Sequence, residues 1–143
     1  FFTGISRFSS DIQQKTEKSM KDKTQELLKM KKLVDCAEQV LVDKSKDLDD
    51  FGRLLDYTWQ LKRGISSGIS SDSIDEQYQA AMRAGALGGK LLGAGGGGFL
   101  LFYVPQEKQD AVRTALKDQL HVPFQFENEG TKIVFYQAEE FEE

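Results

Sequence analysis

Lys90-Leu91-Leu92-Gly93-Ala94-Gly95-Gly96-Gly97-Gly98-Phe99-Leu100-Leu101-Phe102-Tyr103-Val104 is the stretch around which the chain is organised. Two apolar, strand-like runs bracket a loop with almost no side chains. Glycine loses more backbone freedom on folding than any other residue, so such a loop carries an entropic cost. Chains accept that cost where positive φ angles are needed, or where the backbone must come very close to something. Free N–H groups in a bare loop also form a cradle for anions, phosphates above all. The apolar brackets argue against a flexible linker, which would be polar on both sides. A ligand-approaching loop and a tight structural turn both fit the glycines alone.

Working towards the N-terminus, the approach to this loop reads as helical. Ser73-Ile74-Asp75-Glu76 has the form of a capping box, with Ser73 as the cap. Ile74, Tyr78, Ala81 and Met82 give that helix an apolar face. Upstream lies a serine- and glycine-rich loop, Ile65 to Ser71. Before it, Leu48, Phe51, Leu55 and Trp59 mark the buried stripe of another helix starting near Asp47. Gly64 is placed to end it in the left-handed conformation, with Lys62 and Arg63 complementing the dipole of its last turn. Leu27, Met30, Val34, Ala37 and Leu41 define a longer helix, with Cys36 beside the stripe as a small buried or half-buried thiol. The polar stretch Asp11 to Lys23 reads as its helical extension. Phe1 to Ile5 reads as a strand. It opens without methionine, so the chain is expected to be part of a longer protein.

Downstream, Phe99 to Val104 is hydrophobic enough to be a central strand covered on both faces. Pro105 suits the first turn of a helix running to about Gln119, with Ala111, Val112, Ala115 and Leu116 inward. Pro123 to Glu127 and Lys132 to Gln137 read as two short strands, joined by a hairpin turn at Asn128-Glu129-Gly130. Glu139 to Glu143 reads as a solvated tail. The element order predicts an α+β fold: a two-layer sandwich with an antiparallel sheet, helices on one face, and a ferredoxin-like (split βαβ) topology enlarged by extra helices.

Composition narrows the functional classes. The 143 residues suit one domain, spanning 1–143. A net charge of −4 and the lack of a basic cluster speak against a nucleic-acid partner. No apolar run approaches the roughly 18 residues of a membrane span. The single cysteine excludes an internal disulfide and suits a reducing cytoplasm, the expected compartment.

The glycine stretch, Lys90 through Gly98, resembles the third signature motif of the GHMP kinases (galactokinase, homoserine, mevalonate and phosphomevalonate kinases). Its approach, Ala84-Gly85-Ala86-Leu87-Gly88-Gly89, is similar too, and Thr3-Gly4-Ile5-Ser6-Arg7 resembles the opening of that family's C-terminal domain. Softer matches at Trp59-Gln60-Leu61-Lys62-Arg63, Ile74-Asp75-Glu76-Gln77-Tyr78 and Gly97 to Tyr103 resemble the branch acting on D-glycero-D-manno-heptose 7-phosphate.

The resemblance implies a two-lobe kinase using ATP and Mg2+, with a sugar phosphate as acceptor. The N-terminal lobe, the chain's own partner, would carry the phosphate-wrapping loop and the metal ligands. No catalytic residue and no metal ligand is then expected in this chain, and the chain alone is expected to be inactive and to self-associate through its open cleft face. Gly93, Ala94, Gly95, Gly96, Gly97 and Gly98 would line the nucleotide and substrate cleft. Arg7, Lys90, Lys62 and Arg63 are the candidate phosphate contacts, each with a competing reading as a surface or helix-end cation. His121, the only histidine, reads as a surface loop residue. Another GHMP branch, of galactokinase or mevalonate/phosphomevalonate type, remains an alternative. So does a non-catalytic ligand-binding or oligomerisation module on a similar sandwich.

Overall fold

A computed structural model describes residues 1–6, 13, 14, 16, 17 and 20–135. Candidate Arg7 and the acidic tail lie outside the described residues. Among the described residues a 3-10 turn (Lys21–Lys23) leads into α1 (Thr24–Val42), and α2 (Asp49–Arg63) and α3 (Asp72–Arg83) follow. Two strands follow, β1 (Gly88–Leu91) and β2 (Leu100–Tyr103), and then the short helix α4 (Gln109–Ala115). The strands pair antiparallel, with Gly88 opposite Tyr103 and Leu91 opposite Leu100. The fold class is the expected α+β.

The N-terminal segment runs beside β2 without becoming a regular strand. Phe2 forms an isolated antiparallel bridge with Phe99, and the N–H of Leu100 donates to Phe1 O at 2.8 Å. The main core gathers Trp59, Ile65, Ile69, Ile74, Tyr78, Leu91 and Leu100. A second cluster, Ala81, Ala86, Val112 and Leu116, packs α3 on α4. Phe102 and Met82 lie against both, so the two clusters are contiguous.

Helix α2 meets β1 backbone to backbone. A Cβ on Gly88 would come within 1.9 Å of Gly52 O and 2.7 Å of Asp56 N. One on Gly52 would come within 2.6 Å of the Tyr103 ring and 2.9 Å of Leu87 Cβ. Nothing but glycine fits either side of this contact.

Several local expectations are corrected. In α1, Val34 and Leu41 face solvent, and Val40 is the buried residue. Cys36 is exposed rather than buried. Leu48 likewise faces solvent, ahead of the buried Gly52 and Trp59. Gly64 ends α2 with φ −74°, an ordinary helical value, so its lack of a side chain is not used for a left-handed turn. The N-cap of α3 is Ser71, two residues before the expected Ser73, and its hydroxyl accepts from the N–H of Ile74. On β2 only Leu100 is fully buried, and Leu101, Phe102 and Tyr103 are half-buried.

The largest departure is at the C-terminal end. Residues 123–135 contain no strand, and Phe126, Ile133, Val134 and Phe135 are exposed. The alternation that suggested strands is present, but a hairpin without a sheet to extend is marginal in water. Instead the Glu127 carboxylate turns back to accept from the N–H groups of Asn128 and Glu129, a local bond that competes with strand pairing. Gly130 has open space around it and no positive φ.

These contrasts make a paired prediction. Gly88→Ala forces α2 off β1 and should cost between about 1 and 3 kcal/mol, as overpacking does. Gly130→Ala should change stability by less than about 1 kcal/mol, because nothing there opposes a methyl group. Urea unfolding of the two variants checks this; equal losses would contradict it.

Candidate functional site

The glycine loop is held from two sides. Its φ angles are left-handed at Gly93, Gly95, Gly96 and Gly98, with values of 80°, 115°, 75° and 103°. On one side lies the serine-rich loop, anchored by the buried Ile65 and Ile69. The N–H of Gly96 donates to Ile69 O at 2.9 Å, and a Cβ on Gly95 would come within 2.9 Å of Ile69 Cα. On the other side the N–H of Gly98 donates to Ile5 O at 2.8 Å, and a Cβ on Gly97 would come within 2.5 Å of that oxygen.

Thr3 completes the second clamp. Its N–H and its hydroxyl both donate to Gly98 O, at 2.8 and 2.9 Å, and its own carbonyl accepts from the Gln77 side chain at 3.1 Å. Much of the glycine requirement is therefore met inside the protein, by close backbone packing. What is left for a ligand is narrower than the bare sequence implied. Among the described residues, no protein acceptor engages the N–H groups of Gly95 and Gly97. Gly93 is exposed, with open space where a Cβ would lie.

The candidate cations separate sharply. Lys62, at the end of α2, donates from Nζ to Gly93 O at 2.8 Å, which brings its ammonium to the loop's entrance. Burial lowers its pKa from the ordinary lysine value, and the nearby charge of Lys90 lowers it further. Lys90 lies in β1 opposite Leu101, on the sheet face away from the buried Leu91–Leu100 pair. Arg63 goes elsewhere. Its guanidinium pairs with Asp75, whose carboxylate also accepts from the Ser70 hydroxyl, so Arg63 braces the Ile65–Ser71 loop between α2 and α3.

Tyr78 was legible only as an apolar helix position, yet its hydroxyl is the polar hinge of the core. It donates to Asp56 Oδ1 at 2.7 Å and accepts from the N–H of Gly89 at 3.2 Å, tying α3 to α2 and β1. Ile5, Ile69 and Thr3 were not legible as loop clamps at all. For Ile69 the available signal was its place with Ile65 as the two isoleucines of a serine- and glycine-rich loop, which is weak; Ile5 and Thr3 offered no such signal.

An α+β domain presenting a clamped glycine loop beside lysine side chains is the structural class. The model for the GHMP kinases C terminal family matches residues 30–122, and the chain belongs to that family. It is 31% identical over 143 aligned positions to D-glycero-alpha-D-manno-heptose 7-phosphate kinase of Campylobacter jejuni, covering 92% of this chain and 40% of that protein. It is 40% identical over 91 positions to mevalonate kinase of Pyrococcus abyssi, covering 62% of this chain and 26% of that one. A solved structure, L. major mevalonate kinase in complex with R-mevalonate, superposes with a TM-score of 0.68 at 24% identity, over 82% of this chain and 36% of that one. That likeness shows the fold. The chain thus spans less than half the length of these relatives.

The Tyr78 hinge gives a pH prediction. Burial, then the Asp56 carboxylate, push its phenol above the ordinary 10.0. Folding favours the neutral phenol, so its contribution is complete below the unfolded value and is lost as pH rises above it. Stability should therefore fall as pH rises beyond about 10, the ordinary tyrosine value. Tyr78→Phe should fall less steeply there and cost about 1–2 kcal/mol at neutral pH through its lost hydrogen bonds. Parallel denaturant curves for the two proteins at pH 7 and above 10 would reveal identical slopes if the hinge is not formed.

Proposed function

We propose that this chain is the C-terminal lobe of an ATP-dependent small-molecule kinase whose acceptor is a sugar phosphate, D-glycero-D-manno-heptose 7-phosphate being the first candidate. The observation that carries the reading is the clamped glycine loop, whose Gly95 and Gly97 N–H groups have no acceptor among the described residues and whose Gly93 carbonyl holds the Lys62 ammonium. Phosphoryl transfer needs positioned donors against negative charge spread over the transferring oxygens. A loop fixed before ligand arrives supplies them without reorganising, and one such donor is worth about 3 kcal/mol in well-studied cases. The phosphoryl group would pass from ATP to the acceptor's 1-hydroxyl, giving the 1,7-bisphosphate and ADP.

The loop's donors fit a phosphate anion of either substrate. Magnesium fits less well, because among the described residues no group of three or more His, Cys, Asp or Glu side chains converges on one point. Its ligands, and the base that takes the hydroxyl proton, would belong to the N-terminal lobe. Among the described residues no helix is long and apolar enough to cross a membrane. The heptose reading is supported by the Campylobacter similarity, which spans nearly the whole chain; mevalonate is the second reading, supported by the higher identity of the Pyrococcus protein over a shorter stretch.

The test is an acceptor panel on the full-length enzyme. Transfer from ATP to heptose 7-phosphate, with mevalonate at least tenfold poorer, is the expected outcome. The reverse ranking selects the second reading, and no transfer to either overturns the kinase reading for these acceptors. The 143-residue chain alone should be inactive. Gly93→Asn should sharpen the result. Asparagine tolerates a left-handed φ, so folding should survive within about 1 kcal/mol. The new side chain enters the open side of the loop and should lower kcat/KM at least tenfold, about 1.4 kcal/mol of transition-state binding. Unchanged kinetics would show that ligand does not approach Gly93.

A further inference from the structure

Lys62, at the end of α2, and Lys90, on the sheet face against which α2 packs, are like charges that no described carboxylate pairs with. Neither makes a salt bridge to a described residue. Two carboxylates on α2 and α3 are committed elsewhere: Asp75 to Arg63 and Ser70, and Asp56 to the Tyr78 hydroxyl and the Gln60 amide. Lys62 is half-buried, and among the described residues its hydrogen-bond partner is the neutral carbonyl of Gly93. Lys90 is half-buried on the same sheet face as Gly88, the face against which α2 packs. Placing like charges together in a partly desolvated site costs free energy that a bound anion recovers.

We infer that Lys62 and Lys90 form a subsite for a phosphate group at the entrance of the glycine loop, with Lys62 exchanging its Gly93 carbonyl for a phosphate oxygen on binding. The inference deepens the kinase reading and rests on it for the source of the phosphate, either the sugar phosphate acceptor or the nucleotide. Arg63 has no part in the subsite, because Asp75 already holds it. If the acceptor supplies the phosphate, the pair is what separates a phosphorylated sugar from an unphosphorylated acceptor such as mevalonate.

Two measurements test this. In the first, inorganic phosphate is titrated into the 15N-labelled 143-residue chain while the Gly93, Gly95 and Gly97 amide resonances are followed. Saturable shifts are expected in the wild type. Lys62→Gln and Lys90→Gln should each weaken binding at least tenfold, Lys62→Arg should retain it, and Lys117→Gln, which removes an exposed charge elsewhere, should leave it unchanged. Thermal melts identify any variant that has merely unfolded, and the remaining variant then carries the comparison. No saturable shift, or equal binding in all variants, overturns the subsite.

In the second measurement, KM for heptose 7-phosphate and for ATP is measured in the full-length enzyme with the same variants. A rise of at least tenfold in either KM supports the subsite and identifies the source. No rise in both, in an enzyme that turns over, overturns it. Phosphate binding that is lost in the variants of an enzyme without kinase activity would leave the subsite standing and defeat the kinase reading instead.

Discussion

The structure depends on backbone approaching backbone where no Cβ intervenes. It happens at Gly52 against Gly88, where α2 lies on β1, and again at Gly95 against Ile69 and Gly97 against Ile5. Interiors are packed as densely as organic crystals, so a single added methyl at such a point has nowhere to go. The first contact fixes the angle at which α2 delivers Lys62. The second and third fix the loop that receives it. One constraint, repeated, sets both the core and the surface proposed to meet phosphate.

This changes what the glycines mean. A run of bare residues suggests a loop shaped by its ligand, yet here the protein itself uses two of the four consecutive N–H groups, those of Gly96 and Gly98. The loop is rigid because its own neighbours demand it, and any ligand meets a surface already made. Preorganisation of this kind is what lets fixed dipoles stabilise developing charge. Lys62 belongs to the same logic, since its ammonium is held by Gly93 O at 2.8 Å rather than left free in solvent.

Much of this was legible from sequence, and the failures have physical causes. The fold class, the helical approach to the loop, and the helix carrying Trp59 follow from periodicity. The buried side of α1 does not, because that helix is weakly amphipathic and Val34, Leu41 and Val40 compete for the inward position until packing selects Val40. Ser71 and Ser73 are equally good caps in isolation; Asp75, which a capping helix start would leave free, is claimed by Arg63 and Ser70. Residues 123–135 alternate as strands do but find no described edge to pair with. Ile5 and Ile69 act through their carbonyls, and a carbonyl's role leaves no trace in residue identity. Lys62 and Lys90 were legible as candidates, whereas their separation from Arg63 required the ion pair to Asp75.

The claim that the loop is clamped before any ligand binds is tested most directly by amide hydrogen exchange across Gly93–Gly98 in the ligand-free chain. The amides of Gly96 and Gly98, which donate to Ile69 O and Ile5 O, should exchange slowly. Those of Gly95 and Gly97 should exchange near the rate of an unprotected peptide. Uniformly fast exchange at all four would contradict the account, because it would mean that the loop acquires its shape only when something binds.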